Sequence, residues 1–200
     1  MPLMIRTTSA VRSAVETLFR ESAAARRHLY AVIDAAREAR GPQQARASGG
    51  RCQSLYEGRL GRSLNDVAPY LVEFCQQSVF AKWWFAQWGN SAGVLIEAQV
   101  SFDELRRHLR TLMIVNTEDR QKYYFRFYDP RVLRVFLPSC SGDEVPRFFG
   151  PITAFYCESA DGNELLTFRP DGGEVFVKQS PVQLEESKQP SRAGRTSRAR

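Results

Sequence analysis

The stretch "FRFYDPRVLRVFLP", residues 125–138, decides the fold. Up to Tyr128 large aromatics dominate, with Arg126 set between two phenylalanines, and this predicts a strand over "QKYYFRFYD" (121–129). Asp129 and Pro130 then open an apolar stretch punctuated by Arg131 and Arg134, which predicts a helix over "PRVLRVFLP" (130–138). A carboxylate before the first turn accepts from free helix N–H groups, and proline needs no donor at the first helical position. Arg126 among aromatics requires a carboxylate partner if it is partly buried, and Asp129 and Asp34 are the candidates. No base, activated nucleophile or metal set accompanies this junction, so its residues read as a pin between strand and helix.

Working outward, "SVFAKWWFAQWG" (78–89) predicts a helix stopped by Gly89, "AGVLIEAQV" (92–100) a strand, and "SFDELRRHLRTLM" (101–113) a helix capped by Ser101. Helices and strands alternate over 78–138. The implied class is α/β, with α+β as the alternative: a mixed sheet covered by helices. Upstream, Ser9 predicts the start of a helix running to Arg27, "HLYAVIDAA" (28–36) a buried strand, and 37–52 a polar loop with room for a short helix. "QSLYEGR" (53–59) and "APYLVEF" (68–74) predict two more strands. Downstream, "GDEVPRFFGP" (142–151) predicts a short helix ending at Gly150. Then "TAFYCES", "ELLTFRP" and "GEVFVKQ" predict β segments with Asp161-Gly162 and Asp171-Gly172 turns. The organisation expected is an N-terminal helix (1–27), a core domain (28–157), a β-hairpin extension (158–180) and a disordered tail (181–200).

With 43% hydrophobic and 12% aromatic residues there is ample material for one core. The net charge of +6 misleads. Residues 188–200 hold Lys188, Arg192, Arg195, Arg198 and Arg200 and no acid, leaving 23 basic and 22 acidic residues in the rest. The body is near neutral, so a nucleic-acid-binding fold is disfavoured, and anion binding through the basic tail is the alternative. Cys52, Cys75, Cys140 and Cys157 form no C-x-x-C, and neither His28 nor His108 stands at zinc-ligand spacing, so neither a metal nor a cofactor is expected. His108, among arginines, reads as exposed. No stretch approaches ~18 unbroken apolar residues, the span a membrane helix needs, and no leader is apparent. A cytoplasmic protein follows.

A Cys/His-dependent hydrolase remains on paper, but no nucleophile motif supports it. No phosphate-binding glycine loop is present, so no small-molecule substrate is expected. Trp83, Trp84 and Trp88 share one short helix and cannot all face the same way. Those left outside would form a recognition surface.

"LYAVIDAA" (29–36), "SLYEGR" (54–59), "DVAPYLVEF" (66–74), "SFDELRRHLRTLM" (101–113), "FRFYDPRVLRVFLP" (125–138) and "FFGPI" (148–152) occur together in this order. Across about residues 28–157 the chain resembles the type VI secretion adaptor, or effector-chaperone, family. The resemblance implies a non-enzymatic bacterial protein that binds a toxic effector in the cytosol and helps to mount it on the VgrG spike protein. It places Tyr30, Asp34, Tyr56, Pro69, Tyr70, Arg126, Tyr128, Asp129, Pro130 and Arg131 at motif positions, mostly architectural. Tyr56 and Tyr70, with the three tryptophans, are the partner-binding candidates. The Gly/Ala/Gln/Arg-rich stretch after "DAARE" departs from the family's pattern.

Overall fold

A computed structural model describes residues 3–75, 77–116 and 121–182. The basic tail expected at the end falls almost wholly outside these residues. Seven strands form one sheet in the order β2 (Cys52–Ser54), β3 (Pro69–Glu73), β1 (His28–Asp34), β4 (Gly93–Ala98), β7 (Ile152–Glu158), β8 (Glu164–Asp171), β9 (Glu174–Pro181), and β5 (Ile114–Asn116) and β6 (Lys122–Tyr124) make a separate two-stranded ribbon. Every pairing is antiparallel, so of the two expected classes the fold is α+β, a sheet covered by helices.

The centre of the sheet is β1 (His28–Asp34), buried at every position after His28. It lies between β3 (Pro69–Glu73) and β4 (Gly93–Ala98). Its run of Leu29, Tyr30, Val32 and Ile33 is apolar on both faces because helices cover both. One face packs Ala31, Ile33 and Leu95 against α1 (Leu3–Ala24), α2 (Gly41–Ala47) and α4 (Val79–Ala86). The other packs Tyr30, Val32, Val94 and Ile96 against α5 (Phe102–Leu112), α6 (Pro130–Phe136) and α7 (Glu144–Phe149). Each covering layer therefore comes largely from its own part of the chain. Residues 99–151 leave the sheet after β4 and return to the neighbouring β7 (Ile152–Glu158), where Ala98 is paired with Ile152.

Three local expectations are corrected. The first helix starts at Leu3, with Ser9 inside it, since no glycine or proline lies between Leu3 and Ala24. The strand expected over 53–59 is only β2 (Cys52–Ser54). There the Ser54 hydroxyl accepts from the Tyr56 N–H (3.0 Å), the chain turns, and Gly58 (φ +62°) starts α3 (Gly58–Ser63). The strand expected over 121–129 is only β6 (Lys122–Tyr124), paired with β5 (Ile114–Asn116), which the sequence did not suggest. Phe127 and Tyr128 are adjacent yet both buried in the same core, which a strand would forbid. The chain turns instead, with the Asp129 N–H on the Arg126 carbonyl (3.0 Å).

The hairpin beyond residue 157 continues the main sheet. β8 (Glu164–Asp171) pairs with β7, and β9 (Glu174–Pro181) forms its outer edge. Among the described residues no helix is long and apolar enough to cross a membrane.

Candidate functional site

The Asp-Pro junction is built as the sequence implies. The Asp129 carboxylate accepts from the Arg131 N–H (3.0 Å) and takes the Arg131 guanidinium on both oxygens (3.0 and 2.6 Å). Asp129 is buried while Arg131 is half exposed. Burial pushes this carboxyl up, but the Arg131 hydrogen bonds and the charges of Arg131 and Arg126 outweigh it and hold it below the usual carboxylate range. Such a cap supports α6 by about 1 kcal/mol.

Arg126 pairs with Asp34 and not with Asp129. Asp34 is fully buried at the end of β1, where it also accepts from the Ala36 N–H (3.1 Å). The Arg126 side chain is 44% exposed, so it is an outer lid on the carboxylate and not a buried group among aromatics. This ion pair ties the central strand to the turn before α6.

From the junction a chain of aromatics leads to the surface. Tyr128 is buried; burial, with Tyr56 and Asp34 nearby, holds the Tyr128 phenol well above its ordinary range. Tyr56, half-buried, meets Tyr124 with ring centres 6.1 Å apart and the ring planes tilted at 60°. Tyr124 lies on the β5–β6 ribbon, where Ile114 (46%), Val115 (45%), Tyr123 (59%) and Tyr124 (56%) are all exposed. The ribbon is anchored from below. Phe125 donates its N–H to the Met113 carbonyl (3.0 Å) and packs on Phe136 with ring centres 4.6 Å apart. Beside it Arg106 and Arg110 both hold Glu57 at 2.7 Å.

The other candidates are placed differently. Tyr30 is buried and donates to the Val100 carbonyl (2.9 Å), and Pro69 is buried at the start of β3. Tyr70 is buried, its hydroxyl on Asn65 (2.6 Å) and the Arg46 guanidinium over its ring. None of the tryptophans is exposed. Trp84 is buried against Phe74, Trp83 stacks on Phe80 and crowds Gly41, and Trp88 donates to the Gly162 carbonyl (2.8 Å). A side chain at Gly41 would overlap Ile33 and Trp83, so α2 can lie this close only with glycine there. Two exposed aromatics, Tyr123 and Tyr124, are on the ribbon, which lacked a sequence signal because Ile114 and Val115 look like the tail of α5.

His108 is not the exposed residue expected. Its ring lies against Gly150, and Nε2 is 2.9 Å from the Phe148 carbonyl. The thiols offer the hydrolase alternative little. Burial pushes Cys52 up to about 11 and Cys157 up to about 12, and raises Cys140 and Cys75 as well. No group of three or more His, Cys, Asp or Glu side chains among the described residues is arranged to hold a metal.

Two buried glutamates escaped the sequence reading. Glu97 on β4 receives the Ser22 hydroxyl (2.7 Å), the Thr153 hydroxyl (3.0 Å), Arg27 (3.1 Å) and Arg169 (3.4 Å), and so fastens the end of α1 to the sheet. Glu158 on β7 accepts the N–H groups of Gly89 (2.6 Å) and Ser91 (2.7 Å), and so fastens the turn after the tryptophan helix.

A sequence model of the family described as "Domain of unknown function (DUF4123)" matches residues 29–147, more than half of the chain. The chain belongs to this family. No curated protein and no solved structure matches it significantly. The matched span covers the sheet from β1 to β4, the junction and the ribbon, and it stops before β7, β8 and β9.

Proposed function

We propose that this DUF4123 protein is a non-enzymatic cytoplasmic adaptor that binds a toxic type VI secretion effector and helps to load it onto the VgrG spike. One observation carries the reading. The family match over 29–147 falls within the 28–157 span whose motifs resemble the secretion adaptors. The geometry fits it. Asp34, Arg126, Asp129 and Arg131 are taken up in pairing and capping, and the aromatic chain they support ends in the exposed ribbon. We assign effector contact to Tyr123 and Tyr124, with Ile114 and Val115 beside them.

A tagged pull-down from the native cytosol, read by mass spectrometry, tests this. The wild type recovers a toxin-like protein together with a spike protein. Replacing both Tyr123→Ser and Tyr124→Ser, which are exposed and leave the core intact, lowers recovery of the toxin by about tenfold or more. Recovery of neither partner by the folded wild type sinks the adaptor reading. Undiminished recovery by the double variant moves the contact away from the ribbon.

A further inference from the structure

Strand β9 ends the sheet with an edge eight residues long that no described strand pairs, whereas the opposite edge strand β2 has three residues. Its loop is Gly172-Gly173, both at positive φ (+56° and +92°), and Asp171 faces Glu174 across it. In a two-residue hairpin of this kind the closing pair exchanges both backbone hydrogen bonds, and the pattern then alternates along the strand. Residues 174, 176, 178 and 180 therefore bond to β8. The Val182 N–H on the Asn163 carbonyl (2.8 Å) continues the same parity. Val175, Val177 and Gln179 turn their N–H and C=O groups outward. No described residue outside β8 hydrogen-bonds to 174–181. Phe176 is 53% exposed and Val177 36%.

An edge like this is a template for another strand. The sequence "EVFVKQSP" says which strand fits. Antiparallel to itself with Phe176 on the two-fold axis, β9 sets Glu174 opposite Lys178 of the second copy, Phe176 opposite Phe176, and Val175 opposite Val177. Opposite charges, an aromatic pair and a β-branched pair all coincide. The parity also agrees, because the outward-facing Val175 meets the outward-facing Val177. The two registers shifted toward the C-terminus are worse. Centring on Val177 places Pro181, which has no N–H, at an outward donor position, and centring on Lys178 sets two lysines face to face. We propose that β9 is a self-recognition edge: two copies of the chain join β9 to β9 about a two-fold axis at Phe176, making one continuous sheet from two. This surface lies outside the family-matched residues 29–147 and is independent of the client.

The test is sedimentation of the full chain over a range of concentrations. The wild type should move from monomer toward dimer as concentration rises. Val177→Pro removes an outward N–H and leaves the β8 ladder intact, so it should weaken the dimer at least tenfold. Lys178→Glu should weaken it several-fold, and adding Glu174→Lys to that variant should restore it. The register has its own readout. In a Cys75→Ser background, Phe176→Cys should cross-link two chains under mild oxidation, since residues facing across the axis in a non-hydrogen-bonded pair lie about 4.5 Å apart. Lys178→Cys should not. A wild type that stays monomeric at every concentration overturns the proposal. So does a dimer indifferent to Val177→Pro, or one cross-linked through position 178 and not 176. A monomer in which Val177→Pro abolishes binding of an extended client segment would give the edge to that client instead.

Discussion

Glu97 and Glu158 sit on neighbouring strands, both almost fully buried, yet they are held in opposite ways. Burial pushes both carboxyls up. At Glu97 the Ser22 and Thr153 hydroxyls and the charges of Arg169 and Arg27 more than reverse that push, and the group lies below the usual range. At Glu158 the N–H groups of Gly89 and Ser91, the Ser91 hydroxyl and the more distant Arg134 charge do not, and the group stays above it. A buried carboxylate on β4 is thus a committed anion that anchors a helix, and one on β7 is a reluctant anion that anchors a turn. The difference lies in full guanidinium charges as partners.

Glu97→Gln should break the first anchor most severely. It leaves Arg27 and Arg169 facing an amide. Because both arginines are partly exposed, the loss is about 2–3 kcal/mol, or roughly 5–10 °C in melting temperature by calorimetry. Loss of α1 from the sheet should accompany it, seen as faster hydrogen exchange in residues 15–24. An unchanged melting temperature would mean that the arginine contacts are incidental.

Arg126→Ala poses the same question at Asp34, which keeps only the Ala36 N–H when the guanidinium is removed. Arg126 is 44% exposed and solvent screens much of its charge, so the expected loss is about 1–2 kcal/mol in denaturant melts. A loss as large as that of Glu97→Gln would show that the exposed lid matters as much as the enclosed network.

Glu158→Gln should have the smallest effect, about 1 kcal/mol or less near neutral pH, and its signature is the pH dependence. The folded value of Glu158 lies above the unfolded one, so the folded state binds the extra proton. Its contribution is fully present below the usual glutamate range and is lost as pH rises through the folded value. Glu97 and Asp129 run the other way. Their contribution is present above the usual carboxylate range and is lost as pH falls through their lowered values. Stability measured against pH should therefore lose its decline on the alkaline side of the glutamate range in Glu158→Gln, and lose part of its acid-side decline in Glu97→Gln. Identical profiles for both variants would erase the contrast.

The sequence announced elements whose signals are local. Ser101 caps α5, Asp129 caps α6, and Gly150 ends α7, each where expected. The carboxylate partner of Arg126 could be narrowed to Asp129 and Asp34. The choice between them needed β1 to lie beside the turn. Contacts between distant residues left no such trace. Nothing near Glu97 in the chain hints at Ser22 or Arg169, and nothing near Trp88 hints at Gly162. The ribbon was missed for a related reason, since strands of three residues are too short to show alternation. For the tryptophans, composition reports how much aromatic surface exists and not what covers it. Trp84 is covered by Phe74, which also meets Phe80 and Phe85.

The return of residues 99–151 to the strand beside the one they left makes that segment a cassette. Its two ends meet at paired positions, Ala98 and Ile152, and its helices coat one face of the sheet. Because its ends meet at one strand pairing, none of the seven strands of the sheet lies inside it. A lineage can therefore redesign the junction and its ribbon as a unit while the opposite face, with its tryptophan helix and its Glu97 anchor, stays as it is.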